Sequence, residues 1–111
     1  MNIFKKIYLR AKAARNLDKA IQRAEDAYIR YGTRCYVIPN GRALAIVDRD
    51  TFRRRKNREA LHDIKTMADV QRLCFYYTPR YNGREPMPHA EQKRGRLKYY
   101  KSQGLLFQFE E

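Results

Sequence analysis

The chain has no tryptophan, only two cysteines, and no acidic residue before Asp18. Two thiols cannot build the multi-bridge framework of a small secreted scaffold, so Cys35 and Cys74, each in an apolar run, read as reduced core residues. No apolar segment approaches the ~20 residues needed to span a bilayer. The opening Met-Asn-Ile-Phe-Lys-Lys lacks the apolar stretch of a secretory signal, which makes an intracellular, cytoplasmic location the expectation. Metal ligation lacks its spacing: Cys35, His62, Cys74 and His89 form no C-x₂₋₄-C or H-x₃₋₅-H pair. Catalysis lacks its motifs. There is no glycine-rich phosphate loop and no nucleophile pattern beside either histidine, and a turn with a helix cap accounts for Asp48 and Asp50 without chemistry. No enzyme, cofactor or metal site is expected.

What the chain has in excess is positive charge. Lys and Arg total 25 against 12 Asp and Glu, a formal net charge of +13 over 111 residues. Such an excess repels itself and calls for a polyanionic partner. With 43% hydrophobic and 13% aromatic residues the chain is too apolar to be disordered. At this length it is read as one domain, 1–111, able to bury roughly 65% of its unfolded surface.

The organising stretch runs from Thr33 to Asp48. Two apolar runs, Cys35–Ile38 and Ala43–Val47, flank Asn40-Gly41, a strong hairpin signal because both central residues of a type I′ turn need positive φ. A two-residue loop there pairs Ile38 with Ala43, Val37 with Leu44 and Tyr36 with Ala45. Tyr36, Ile38, Ala43 and Ala45 then share one face, and Cys35, Val37, Leu44 and Ile46 the other. Neither face is polar, so helices must cover both. The expected fold is α+β: a central hairpin covered by several helices, with a third C-terminal strand as an option.

Residues 2–31 read as helix, ended by Gly32. Its apolar stripe shifts by about a quarter turn at 100° per residue, from Ile3, Phe4, Ile7, Ala11 and Ala14 to Leu17, Ile21, Ala24, Tyr28 and Tyr31. Either the helix breaks near Arg15-Asn16 or one long helix meets two partners. Residues 1–15 form a basic amphipathic arm. That pattern also suits a membrane interface, but the apolar arc is short and protein docking fits better. A short helix is expected from Phe52 to about Leu61, capped within Asp48–Thr51. Thr66-Met-Ala-Asp69 is a capping box before Val70, Leu73, Cys74 and Tyr77 at helical spacing, and Pro79 stops that helix. A proline-punctuated loop follows, then a last helix from Pro88 to Gln103. The apolar tail 104–111 is expected to add a strand or dock as a plug.

Three basic clusters are candidates for binding phosphate: Lys5, Lys6, Arg10, Lys12 and Arg15; Arg53, Arg54, Arg55, Lys56 and Arg58; and Lys93, Arg94, Arg96, Lys98 and Lys101 with Tyr99 and Tyr100 between them. Guanidinium forks match phosphate oxygens and tyrosine rings stack on bases. The plain alternative for any one cluster is a solvated helix face. Ile3, Phe4, Ile7 and Tyr8 at one end, and Leu105, Leu106, Phe107 and Phe109 at the other, are candidates for docking a partner.

Several combinations carry a resemblance: Tyr36-Val-Ile-Pro39, Asp48-Arg49 with Phe52-Arg53, Cys74-Phe-Tyr-Tyr-Thr-Pro79, and Lys93-Arg94 before Tyr99-Tyr100. Over roughly residues 17 to 101 they resemble small basic proteins of uncharacterised role in tailed phages and prophage-like mobile elements of gut bacteria. The resemblance rests on no motif of known mechanism, so it assigns no residue a role. It implies a setting in which packaged DNA and large assemblies are the available partners. The expectation is a non-enzymatic nucleic-acid-associated protein. The rival is a structural or accessory component of a phage particle docked on acidic subunits, incorporated in the virion.

Overall fold

The computed structural model describes residues 2–56 and 64–110, without the side chains of Arg55 and Lys56. Helix α1 (Ile3–Tyr31) leads into strands β1 (Tyr36–Asn40) and β2 (Ala43–Val47); then come α2 (Arg49–Lys56), α3 (Met67–Leu73), the short strand β3 (Tyr76–Tyr77) and α4 (His89–Ser102). The three strands form an antiparallel sheet in the order β2-β1-β3. The fold is α+β, with the hairpin at its centre.

The hairpin exists, but its register differs from the expected one. Asn40 pairs with Ala43, Ile38 with Ala45, Val37 with Ile46 and Tyr36 with Val47, so the loop is Gly41-Arg42. Gly41 has φ 64° while Asn40 and Arg42 stay at negative φ, which is the demand of a type II′ turn and not of I′. The shift moves each partner by two residues. Because side chains alternate with period two, an even shift leaves every residue on its expected face. Tyr36, Ile38, Ala45 and Val47 pack with Phe52, Ile64, Val70 and Cys74, beneath α2 and α3. Cys35 and Val37, with Leu44 and Ile46 at the margin, pack with Ala13, Leu17, Ala20 and Ala24 of α1 and with Tyr99 and Tyr100 of α4. Pro39 is tolerated in β1 because β3 pairs only with Tyr36 and Val37, leaving one side of β1 open beyond them.

Helix α1 does not break at Asn16. It is a single 29-residue helix, about 43 Å long, closed by Gly32 in the left-handed conformation. Its buried stripe is Ala13, Leu17, Ala20 and Ala24; of the earlier apolar face Ile3, Phe4, Ile7 and Ala11 are exposed, and Ala14 packs half-buried against the core. Helix α2 begins at Arg49, not Phe52, because Asp48 is the cap: its Oδ1 accepts from the Thr51 N–H at 2.6 Å. The expected end of that helix near Leu61 lies outside the described residues. The Thr66–Asp69 capping box forms as expected.

Cys74 to Tyr77 do not continue α3. The helix stops at Leu73, and Phe75 N–H bonds Val37 O at 2.8 Å while Thr78 N–H bonds Cys35 O at 2.9 Å. The third strand is thus Tyr76–Tyr77, where the open edge of β1 offers backbone partners, and not the C-terminal tail. The tail docks instead: Leu105 is buried, and Gln108–Glu110 forms a 3₁₀ turn.

Candidate nucleic-acid interface

The expected basic clusters separate in space. Arg53 and Arg54 project from α2 and are exposed, on the side of the sheet opposite α1 and α4. Arg55 and Lys56 close α2, but their side chains, and Arg58 altogether, lie outside the described residues. Arg53 and Arg54 therefore do not join the third cluster.

The third cluster is divided by the inward face of α4. Tyr99 and Tyr100 are 4% and 5% exposed. Tyr99 meets Phe75 edge to face at 5.2 Å, so neither ring is presented as a platform for bases. Burial also pushes the Tyr99 hydroxyl pKa up. Lys98 is a structural ligand. Its Nζ donates to Arg72 O at 2.6 Å, satisfying a carbonyl that the end of α3 leaves unpaired, and desolvation pulls its pKa down. Arg96 donates to Asp18 at 2.5 Å and to the Tyr100 hydroxyl at 3.3 Å, tying α4 to α1. Among the described residues, Lys93, Arg94 and Lys101 are the exposed cations of this cluster with neither an ion pair nor a structural hydrogen bond like that of Lys98.

The terminal candidates also divide. Leu105 is core, and Leu106 packs against it half-buried. Phe107 lies 4.7 Å from the guanidinium of Arg10, which also sits 4.5 Å from the Tyr100 ring. Arg10 and Glu110 form a two-pronged ion pair, Nη2 to Oε2 being 2.7 Å, so Arg10 belongs to a clasp between α1 and the tail. That hydrogen bond holds the Glu110 carboxyl down at about 2. Ile3, Phe4, Ile7 and Tyr8 remain half to four-fifths exposed, and Phe109 is 85% exposed.

No metal cluster of His, Cys, Asp or Glu occurs among the described residues. Cys35 and Cys74 are free thiols buried on opposite faces of the sheet, and desolvation raises both, Cys35 to about 11. Neither is poised as a nucleophile. His89 is exposed at the start of α4, and His62 lies outside the described residues. Among the described residues no helix is long and apolar enough to cross a membrane.

The arrangement missed in the sequence is a line of cations on α1. Lys5, Lys12 and Lys19 recur at seven residues, and Arg23 and Arg30 repeat the interval. At 100° per residue all five fall within about 40° of arc, roughly a third of a turn from the buried stripe. Each is exposed, and none forms an ion pair among the described residues. The line spans about 37 Å at 1.5 Å per residue. Midway, Lys19 and Arg23 meet Arg42 of the hairpin turn around a groove of ≈ 680 Å³ whose floor includes Ala43, Leu44 and Tyr99. The seven-residue interval was the available signal.

No family model matches the chain, and no curated protein or solved structure matches it either. The geometry stands alone.

Proposed function

We propose that the chain is a non-enzymatic, nucleic-acid-associated protein that binds phosphate backbone. The observation that carries this reading is the line of five exposed cations along α1, without ion pairs among the described residues. Long, one-sided positive charge suits a polymer of phosphates better than a compact anion. Arg53 and Arg54 add to the field from across the sheet, and Lys93, Arg94 and Lys101 add to it from α4. The resemblance to phage and mobile-element proteins supplies the setting.

A second reading rests on a different observation. Ile3, Phe4, Ile7, Tyr8 and Phe109 leave apolar surface exposed, and Lys5, Lys12 and Arg15 are exposed cations on the same N-terminal arm. That arm suits an acidic, amphipathic protein surface, such as a subunit of a phage particle.

Titration of duplex DNA at several salt concentrations separates the two. Backbone binding releases condensed counterions, so log affinity falls linearly with log salt, with an expected slope of roughly −3 to −5 for the α1 line. Replacing Lys5 and Lys12 with Gln lowers the slope by up to about two units and weakens all sequences alike. A flat salt dependence, or no binding at low salt, overturns the nucleic-acid reading and leaves the docking one.

A further inference from the structure

The groove at the middle of the α1 line has features that a duplex backbone does not use. Its rim carries Lys19 and Arg23 from one side of α1 and Arg42 from the hairpin turn opposite, and none of the residues lining it is acidic. Its floor is apolar: Ala43 and Leu44 of the outer strand β2, with an edge of Tyr99. The amides of Asn16 and Gln22 stand at the same rim, the Gln22 amide held by Asp26 at 3.0 Å. Past Arg42 the groove continues into a second recess of ≈ 300 Å³ that shares Arg42, Ala43, Leu44 and Tyr99 and ends at Ser102 and Gln103. A path therefore runs across the hairpin tip, from α1 to the end of α4.

We propose that this groove holds an unpaired nucleotide of a single strand, with its phosphates on Lys19, Arg23 and Arg42 and its base on the floor made by Ala43 and Leu44. The inference rests on the nucleic-acid reading above and narrows it from backbone in general to single strands at this place. Two physical facts point the same way. In a duplex the bases are stacked and paired, so their faces cannot lie on an apolar floor, whereas a single strand offers every base face to a platform. The volume is of the order of a small-ligand site, and polar groups converging above an apolar floor are the usual composition of one. Lys19 and Arg23 stand four residues apart on α1, side by side on its surface. With Arg42 across from them, three positive charges face one small volume.

Arg42 makes the test selective, because it borders the groove but is not part of the α1 line. Labelled single strands, duplexes of the same length, and strands with abasic spacers are to be titrated against the wild-type chain and Arg42→Gln. The groove predicts that Arg42→Gln weakens single-strand binding roughly ten- to a hundredfold, the range of one charge-assisted hydrogen bond. It predicts a single-strand salt slope lower by about 0.7, and duplex binding changed less than twofold. Abasic strands should bind the wild-type chain several-fold more weakly than base-bearing ones. Equal loss on single strand and duplex means that Arg42 adds only to the general field, and overturns the groove while leaving backbone binding intact. Equal affinity for abasic and base-bearing strands overturns the seating of the base. Competition by tripolyphosphate that restores no difference between the two strands assigns the site to free polyphosphate and overturns the proposal. Failure of the wild-type chain to bind any nucleic acid at low salt sinks the broader reading itself. Because Arg42 is exposed in a turn, the variant is expected to keep the wild-type circular dichroism spectrum.

Discussion

Gly95 lies inside α4, where its Cα faces the backbone of Phe75, the residue before β3. A Cβ built there would stand 2.1 Å from the Phe75 carbonyl oxygen and 3.0 Å from its carbon, with no flexible side chain to give way. Helix propensity alone favours alanine over glycine by about 1 kcal/mol. Overpacking against fixed backbone costs about 1–3 kcal/mol or more, so the clash wins. Gly95→Ala should lower the urea midpoint and destabilise the fold by about 1–3 kcal/mol, whereas a neutral or stabilising effect would show that α4 does not approach β3 so closely. Gly95, Tyr99 and Tyr100 share a helical face, and that spacing was legible as an inward face. It was masked by the cations between them, which made the two tyrosines resemble a stacking platform. Lys98 was illegible for another reason: its partner, the Arg72 carbonyl, is a backbone group 26 residues away, which side-chain patterns do not display.

Among the elements, the hairpin was legible to its faces but not to its loop. Asn-Gly fits both turn families: I′ takes the pair as its two central residues, and II′ takes glycine as the first of them. The two registers differ by two residues and bury the same side chains, so hydrophobic pattern cannot separate them. Strand β3 failed for lack of length. Val70, Leu73, Cys74 and Tyr77 keep helical spacing, and a two-residue strand has no period of its own; the choice is made by β1's open edge and by Thr78, whose Oγ1 accepts from the Cys35 N–H at 2.8 Å. The tail was foreseen as plug or strand, and the Arg10–Glu110 clasp decides for the plug. Glu110 also accepts from the Phe107 N–H at 3.0 Å. Its folded carboxyl sits near 2 against an ordinary 4.5, because the Arg10 hydrogen bond favours the charged form. The clasp therefore stabilises the docked tail fully above about pH 4.5 and loses this contribution as the pH falls towards 2. Protection of the Phe107 amide from hydrogen exchange should drop across that window in the wild-type chain. In Glu110→Gln it should be low already at pH 6 and flat below it; a variant that keeps the acid transition would assign the effect to another carboxylate.

At the scale of the molecule, the sheet separates two positively charged sides. The line on α1 occupies one, while Arg53 and Arg54 stand on α2 across the sheet. The two covering layers follow directly from a hairpin with no polar face, which is why the α+β architecture could be read from sixteen residues. The separation of the charge could not, since clusters distant in sequence carry no mark of which side they will face. A body of 42 × 30 × 21 Å is thin enough for two polyanions to lie on opposite sides at once. If the chain binds backbone as proposed, it should bridge duplexes: at low salt, long DNA is expected to condense on addition of protein, as followed by light scattering, while a short duplex forms a simple complex. Replacing Arg53 and Arg54 with Ala should reduce the scattering strongly and leave short-duplex affinity within about twofold, because the stronger α1 side remains whole. Gln at Lys5 and Lys12 should instead weaken both. The contrast between the variants carries the argument, since net charge alone would make two lost cations equivalent wherever they sit. Equal effects of the two pairs on scattering and on short-duplex binding would mean that the protein acts as a diffuse cation, with no division of labour between its sides.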